Sequence, residues 1–190
     1  MSTDQNSSKA YAMLLRDVLG GQDWTNVDKL GALMTSAWKE NRTVFVCGNG
    51  GSAVNALHWA TDFLYPVSPG SAGLRIFALT ANPGVISCLA NDIHFKSVFS
   101  QQLRSLGTRG DLLILLSGSG NSENIIEAIT TAQELGITTV GLFGFGGGKA
   151  LPLVDLGIHF AVNDMQIAED MQLVVNHMVM RALRHQSSAQ

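Results

Sequence analysis

The sequence predicts an α/β fold in which a parallel β-sheet is covered by helices on both faces, a three-layer αβα sandwich. Short apolar runs alternate with longer segments whose apolar residues recur at helical spacing. Hydrophobic residues make up 46% of the 190-residue chain and charged residues 14%, enough for one substantial core. Twenty glycines against four prolines favour many tight strand-to-helix turns. We therefore expect one structural domain.

The N-terminal part of the chain predicts two packing helices. Residues 1–8 are polar and are predicted to be frayed. A helix over residues 9–19 is predicted to stop at Gly20 and Gly21. A second helix is predicted over residues 26–39 because five apolar side chains share a face; these are Val27, Leu30, Leu33, Met34 and Trp38. Neither helix carries residues that suggest chemistry.

The first strand, turn and helix of the sheet are predicted between residues 44 and 63. Val44, Phe45 and Val46 form an apolar run, and a glycine-rich turn follows at residues 48–52. Helical spacing of apolar residues then continues to residue 63. Such a unit is an anion site, because the first helical N–H groups lack partners and the helix dipole is positive there.

The remaining elements follow in the same alternation. Residues 65–73 contain Pro66 and Pro69 and are predicted to form a loop. Strands are predicted over residues 74–79, 111–116, 138–142 and 157–162. Helices are predicted over residues 85–90, 96–106, 123–135 and 165–183, with a break at Asn91 and Asp92. Residues 111–116 are almost continuously apolar, as expected for a strand that is buried on both faces.

Composition and charge exclude several classes of function. A net charge of −3 provides no basic surface, so nucleic acid is not an expected partner. The N-terminus lacks the features of a signal peptide, and no apolar run reaches the ~18 residues that span a bilayer. Cys47 and Cys88 lie in apolar surroundings, which favours buried structural thiols in a reducing compartment. We expect a cytoplasmic protein that contacts neither membrane nor nucleic acid.

Two turns rich in glycine and serine stand at predicted strand ends, where parallel sheets bind ligands. The first contains Asn49 and Ser52, and the second spans residues 117–122 with Ser117, Ser119 and Ser122. Their hydroxyls and turn N–H groups suit a phosphoryl group, and capping of the following helices is the alternative. Neither turn fits a phosphate-binding NTPase loop or the dinucleotide-binding fingerprint.

Two predicted helices carry residues suited to acid–base chemistry or metal binding. His58 and Asp62 lie four residues apart on the helix behind the first turn and therefore share a face. Glu169, Asp170 and His177 interrupt an otherwise apolar final helix. Two imidazoles and two carboxylates suit a borderline divalent metal such as zinc. Solvated helix residues and a surface His–carboxylate contact are the alternatives.

Together these motifs resemble the sugar isomerase (SIS) domain family, in its phosphoheptose isomerase branch. The resemblance rests on the turn at residues 47–53 followed by His58, on the serine-rich turn at residues 117–122, and on a late helix with His177. It implies a five-stranded, doubly wound (flavodoxin-like) sheet and a homotetramer with active sites at subunit contacts. It also implies conversion of sedoheptulose 7-phosphate to glycero-manno-heptose 7-phosphate, the first step towards heptose for surface polysaccharides such as lipopolysaccharide.

The resemblance assigns roles to individual residues. The family's phosphate-binding positions correspond to Ser52, Ser117, Ser119 and Ser122. The other implied substrate-binding positions are Asn49, Gly50, Gly51, Asp92, Gly118 and Glu169. The implied ligands of one zinc ion per subunit are His58, Asp62, Glu169 and His177. Our mechanistic hypothesis is an enediol reaction in which Asp62 and His177 exchange protons with the substrate.

The chain departs from the family pattern at several of these positions. Asp62 replaces a Glu that is one methylene longer, and Glu169 replaces a Gln. Gly118 replaces a Thr in the second serine turn. The family's Asp-Arg-Ile-Gln-Glu sequence corresponds to Gln-Ile-Ala-Glu-Asp at residues 166–170.

The resemblance also bears on domain organisation and on rival functions. Residues 1–40 are expected to pack in the oligomer, and residues 41–190 to form the sugar-phosphate-binding part. Alternative functions are isomerisation of another sugar phosphate, binding of the replication initiator by a non-catalytic SIS tetramer, and sugar-phosphate sensing by a regulator. His177 argues against the non-catalytic tetramer, and the lack of a basic patch or DNA-binding helix pair argues against the regulator.

Overall fold

The computed structural model describes residues 7–65 and 72–187, with side chains described as far as residue 184. The helices are α1 (Ser8–Gly21), α2 (Thr25–Lys39), α3 (Gly51–Leu64), α4 (Pro83–Asp92), α5 (Ser100–Leu106), α6 (Glu123–Leu135) and α7 (Met165–Ser187). The strands are β1 (Thr43–Gly48), β2 (Arg75–Ala78), β3 (Leu112–Ser117), β4 (Thr138–Phe143) and β5 (Leu156–His159). Most of the predicted frayed N-terminus and of the predicted loop with Pro66 and Pro69 lies outside the described residues.

The five strands form one parallel sheet in the order β2-β1-β3-β4-β5. This confirms the predicted doubly wound α/β fold. The strand order changes direction between β1 and β3, and such a switch point leaves a crevice at the carboxyl ends of the two strands. Gly48 at the end of β1 lies opposite Leu116 of β3, so the turns that follow these strands leave the sheet side by side.

Two apolar cores lie on opposite faces of the sheet, because alternate strand residues point to opposite sides. Val44 and Val46 of β1 belong to the core that includes α2, α3 and α7. Phe45 and Cys47 belong to the core that includes α5 and α6. Strands β1 and β3 are buried along their whole length. The continuous apolar run at residues 111–116 predicted this burial for β3.

Helices α3 and α7 pack against each other on one face of the sheet. Trp59 and Phe63 of α3 and Met171 and Val175 of α7 are each 0% exposed in the core that they share. Full burial of such a side chain stabilises the fold by about 1.5–3 kcal/mol, so these contacts hold the two helices firmly together. This pair carries five candidate site residues, namely Ser52, His58, Asp62, Glu169 and His177.

Several element boundaries differ from the sequence prediction. Helix α1 continues through both glycines that were expected to stop it, and α4 continues through Asn91 and Asp92. The predicted helix over residues 96–106 is divided into a 3-10 turn at Phe95–Ser97 and the helix α5. The imidazole of His94 accepts a hydrogen bond of 3.1 Å from the N–H of Lys96 and so caps the separate turn. Strand β5 ends at His159, three residues earlier than predicted.

The two cysteines lie in different environments. Cys47 in β1 is buried, and this burial raises the pKa of its thiol. Cys88 is exposed, so the prediction of two buried thiols is wrong for this residue. The physical reason is that α4 lies on the surface and none of its described side chains is buried. None of the helices formed by the described residues is long and apolar enough to cross a membrane.

Candidate active site

The turn after β1 leads into α3 without a side-chain cap. Gly50 has a φ of +55°, a conformation that favours glycine, and it precedes the first residue of α3. The N–H of Ala53 donates to the carbonyls of Asn49 and Gly50. The N–H groups of Gly51 and Ser52, in contrast, have no partner within the described chain and stay available to a ligand in the crevice. Asn49 is held by Asn124 of α6 through two reciprocal amide hydrogen bonds of 2.9 Å. These bonds fix the turn to α6.

The serine hydroxyls of the turn after β3 have different partners. Ser117 Oγ accepts a hydrogen bond of 3.1 Å from the N–H of Gly120, and Ser119 Oγ accepts one of 3.3 Å from the N–H of Asn121. Ser122 occupies the N-cap position of α6, yet its side chain makes no capping hydrogen bond within the described chain. Helix capping therefore does not account for Ser122, whose hydroxyl can serve a ligand.

The glycine-rich loop after β4 packs against this serine turn. Gly120 has a φ of +64°, and a Cβ at this position would collide with the carbonyl oxygen of Gly147. The N–H of Ala150 donates to the carbonyl of Gly120, and the N–H of Gly144 donates to the carbonyl of Gly118, each at 2.9 Å. The close approach and the positive φ both require glycine at position 120.

The two turns line an open cavity of about 270 Å³, which we call the serine-lined cavity. Every substrate-binding residue expected from the resemblance lines it, except Asp92. Met165 and Glu169, from the first turns of α7, complete its wall. The structure thus brings together the two turns that the sequence placed at strand ends.

The first turns of α7 give this cavity a chemistry that differs from the family pattern. The Glu169 carboxylate lies against Gly51, where a Cβ would collide with it. A Cβ at Gly118, where the family has Thr, would collide with the thioether sulfur of Met165. The cavity therefore has a thioether where the family has a hydroxyl, and it includes a carboxylate.

His58, Asp62 and His177 converge between α3 and α7, and we call them the His–Asp–His group. Asp62 Oδ2 lies 3.3 Å from His58 Nε2 and 3.6 Å from His177 Nε2. The two Nε2 atoms are 3.3 Å apart, and the three donor atoms lie within 4.8 Å of one another. Two imidazole nitrogens and a carboxylate oxygen are a donor set that binds zinc. The alternative of a simple surface contact between His58 and Asp62 does not explain why the imidazole of His177 approaches the same carboxylate oxygen.

Glu169, the fourth residue of the expected ligand set, is not part of the His–Asp–His group. It precedes His177 by eight residues of α7, a rise of about 12 Å along the helix. Its carboxylate lies in the serine-lined cavity instead. The cavity and the His–Asp–His group therefore occupy two separate places along the same α3–α7 pair.

Two other acidic residues lie apart from these places. Asp92 is exposed at the end of α4, where its carboxylate accepts hydrogen bonds from Asn91 at 2.7 Å and from the Cys88 thiol at 3.3 Å. These two bonds lower the pKa of Asp92. Asp170, one of the three polar residues noted in the final helix, accepts a hydrogen bond of 2.6 Å from the hydroxyl of Tyr11 on α1.

Amide side chains connect α3 to α7, and the sequence analysis missed them. Gln172 Nε2 donates to Ser52 Oγ at 3.0 Å, and Asn55 Nδ2 donates to Gln172 Oε1 at 2.9 Å. Asn176 Nδ2 donates to Asp62 Oδ2 at 2.6 Å. The signal in the sequence was the set of amide residues within apolar helix faces, since a buried amide requires a hydrogen-bond partner.

Comparisons with known proteins identify similar sequences and folds. A family model described as SIS domain matches residues 9–144. The phosphoheptose isomerase of Clostridium acetobutylicum is 33% identical over 175 residues, which cover 92% of this chain and 88% of that protein. The phosphoheptose isomerase of Cytophaga hutchinsonii is 36% identical over 151 residues, covering 80% of this chain and 78% of that protein.

Solved structures have the same architecture. The phosphoheptose isomerase structure from Neisseria gonorrhoeae matches with a TM-score of 0.87 and 27% identity, covering 95% of this chain and 98% of that chain. A phosphoheptose isomerase from Francisella tularensis matches with a TM-score of 0.88, covering 95% of this chain and 96% of that chain. The second structure is 23% identical and supports the fold alone.

Proposed function

Since the chain belongs to the SIS domain family, we propose that it is an aldose–ketose isomerase that converts sedoheptulose 7-phosphate to D-glycero-D-manno-heptose 7-phosphate. Relatives named phosphoheptose isomerase match it at 33% identity over most of its length. The observation that carries the proposal is the separation of the serine-lined cavity from the His–Asp–His group along one helix pair. The phosphate and the reacting carbons also lie at opposite ends of this seven-carbon substrate.

We assign the substrate phosphate to the serine-lined cavity. The uncapped N–H groups of α3 and the hydroxyl of Ser122 can donate hydrogen bonds to its oxygens, with Ser52, Ser117 and Ser119 beside them. The positive end of the α3 dipole stabilises an anion there. Because the carboxylate of Glu169 repels a phosphate dianion, we assign Glu169 to the sugar hydroxyls, which can donate hydrogen bonds to it.

Asp62 and His177 are the proposed acid–base pair. Isomerisation moves a proton between adjacent carbons through an enediol, so it needs a base near the carbon and an acid near the oxygen. The carboxylate of Asp62 and the imidazole of His177, 3.6 Å apart, offer both groups in one place. We propose that these two side chains exchange protons with the first two carbons of the sugar and their oxygens.

The His–Asp–His group has the donor set for a zinc ion, and His58, Asp62 and His177 are the proposed ligands. Three protein ligands with an open position are typical of catalytic zinc sites. When bound there, zinc would polarise the substrate carbonyl and stabilise the oxyanion. The role of Glu169 as a fourth ligand stays a prediction.

We further propose a cytoplasmic homotetramer that serves the synthesis of surface polysaccharides. Helix α1 buries none of its described residues within one chain, and it exposes Tyr11, Met13 and Leu14. Exposed apolar side chains grouped in this way are typical of protein–protein contacts, which supports packing of residues 1–40 in an oligomer around the part formed by residues 41–190. Asp92, which lies outside the cavity of its own chain, is proposed to reach substrate at a subunit contact.

The test is turnover of sedoheptulose 7-phosphate by the purified protein supplied with Zn²⁺, measured beside pentulose and hexulose phosphates. We expect turnover of the heptulose phosphate and its loss, by about 100-fold or more, in Asp62→Asn and His177→Ala. Glu134→Gln, at the exposed C-terminal end of α6, is a matched control that should keep full activity. A metal-loaded protein that isomerises no sugar phosphate would contradict the proposal. Capture of a replication initiator by such an inactive protein would support the non-catalytic tetramer.

A further inference from the structure

We propose that Asn176 is a positioning residue, whose buried amide holds the Asp62 carboxylate in the orientation that the His–Asp–His group requires. The inference rests on the proposed function, in which Asp62 serves both as a zinc ligand and in proton transfer. Asn176 itself is not proposed to touch the substrate or the metal.

The geometry places the Asn176 amide directly behind the Asp62 carboxylate. Asn176 is 0% exposed, and its Nδ2 donates to Asp62 Oδ2 at 2.6 Å. The same oxygen atom lies 3.3 Å from His58 Nε2 and 3.6 Å from His177 Nε2. One carboxylate oxygen is therefore approached by the amide from the buried side and by two imidazoles from the exposed side.

Adjacent positions on α7 supply two of these three neighbours. Successive residues of an α-helix are separated by about 100° around the axis, so Asn176 and His177 point in different directions. Asn176 points into the helix interface, and the side chain of His177 is 55% exposed. Asp62 of α3 lies between them and is in reach of both.

A short carboxylate at this position needs such support. The terminal torsion of Asp is broad, so the carboxylate group alone does not hold one orientation. The side chain of Asp62 is also 26% exposed, and water competes for its oxygens. A hydrogen bond from a buried amide selects the orientation in which Oδ2 faces the imidazoles, in the way that outer hydrogen bonds orient metal ligands.

The carbonyl oxygen of the Asn176 amide indicates that Asn176 does not contribute to the stability of the fold. Asn176 Oδ1 is buried and has no hydrogen-bond partner among the described residues. A buried polar atom without a partner destabilises a fold, and Asn176 shares a buried face of α7 with the apolar residues Val179 and Met180. A residue that lowers stability and contacts a proposed ligand is best explained by its effect on that ligand.

The test compares the wild-type protein with Asn176→Leu and Asn176→Ala. Zn²⁺ affinity is measured by competition with a chromophoric chelator, and kcat, KM and Tm are measured on the same samples. We expect the Zn²⁺ dissociation constant to rise and kcat to fall, each by about 10- to 100-fold, in both variants. KM should change little, because the serine-lined cavity holds the phosphate. Tm should stay or rise in Asn176→Leu and should fall in Asn176→Ala, which leaves a void.

Thr139→Val is the matched control. Thr139 is 0% exposed, and its hydroxyl donates a hydrogen bond of 2.8 Å to Asp155 Oδ2. The next residue of β4, Val140, faces the core that includes α3 and α7, so Thr139 faces the opposite side of the sheet. This substitution should lower Tm and leave Zn²⁺ affinity and kcat unchanged. If Asn176→Leu keeps the Zn²⁺ affinity and the kcat of the wild type, the inference is wrong, even though the protein is then an active isomerase. If the wild type binds Zn²⁺ without isomerase activity, the proposed function fails and the dissociation constants still decide the role of Asn176. If the wild type neither binds Zn²⁺ nor isomerises a sugar phosphate, both the inference and the proposed function are wrong.

Discussion

The hydroxyl of Tyr11 donates a hydrogen bond of 2.6 Å to Oδ2 of Asp170, the residue that follows Glu169 in α7. This bond connects the N-terminal helix α1 to the helix that completes the serine-lined cavity. Partial desolvation, the hydrogen bond to Asp170 and the negative charges of Asp170 and Asp164 raise the pKa of Tyr11 to about 12. The N-terminal helix is thus coupled to the candidate site.

The raised pKa of Tyr11 predicts a loss of stability at high pH. The folded protein holds the phenolic proton more tightly than the unfolded chain, in which the tyrosine has its ordinary pKa of 10.0. The stabilisation is therefore fully present below about pH 10 and is lost as the pH rises towards about 12. Tm of the wild type should fall more steeply over this range than Tm of Tyr11→Phe. Parallel curves would contradict the prediction.

Substitution of Gly120 is expected to damage both the fold and the phosphate site. Gly120→Ala combines a positive φ with a collision against the carbonyl oxygen of Gly147. We expect a loss of about 1–3 kcal/mol in the free energy of unfolding and a higher KM, measured by denaturant titration and by the isomerase assay. Gly146→Ala is the matched control in the neighbouring loop, because a Cβ there meets nothing within 4 Å. Equal effects of the two substitutions would argue against a close contact between the loops.

The pair formed by Gly118 and Met165 predicts a compensating double substitution. Gly118→Thr alone would restore the hydroxyl of the family pattern but would collide with Met165. Met165 is flexible and 38% exposed, so Met165→Ala should make room at small cost to the fold. We expect KM to rise in Gly118→Thr and to fall below the wild-type value, by about threefold to tenfold, in the double variant. A double variant no better than the single one would show that the added hydroxyl does not reach the phosphate.

The contact between Cys88 and Asp92 predicts that the Cys88 thiol reacts slowly with alkylating reagents. The hydrogen bond to Asp92, its negative charge and slight desolvation raise the pKa of the exposed Cys88 thiol, which leaves less of the reactive thiolate at a given pH. Alkylation by iodoacetamide at about pH 8 should be slower than for a free cysteine and should speed up in Asp92→Asn. Cys47 is buried and should stay unmodified in the folded protein, as an internal control. Equal rates with and without the Asp92 carboxylate would contradict the prediction.

The fold was predictable because strands, turns and helices have local signals. The continuous apolar run at residues 111–116 predicted β3, and glycine and serine residues at the ends of β1 and β3 predicted the cavity. The division of the predicted helix at residues 96–106 was missed, because the cap of the 3-10 turn is a single imidazole, that of His94. Histidine at that position gives no recognised start signal.

The candidate site was only partly predictable. His58 and Asp62 share a helix face, so their proximity follows from spacing alone, but the approach of His177 depends on how α7 packs against α3. The places of Glu169 and Asp92 also depend on that packing and on tertiary contacts. The amide of Asn176 was missed because a single Asn in an apolar helix face does not reveal its partner without the neighbouring helix.

The α3–α7 pair has a consequence for inhibitor design. The two halves of the candidate site are fixed along one packed helix pair, and the residues of α7 that mark them are about 12 Å apart along the helix axis. A phosphonate joined to a hydroxamate through a linear spacer would bind both halves only if the spacer covers the gap. Affinity across a series of spacer lengths should therefore pass through one sharp maximum, and compounds that are too short should bind no better than a phosphonate or a hydroxamate alone.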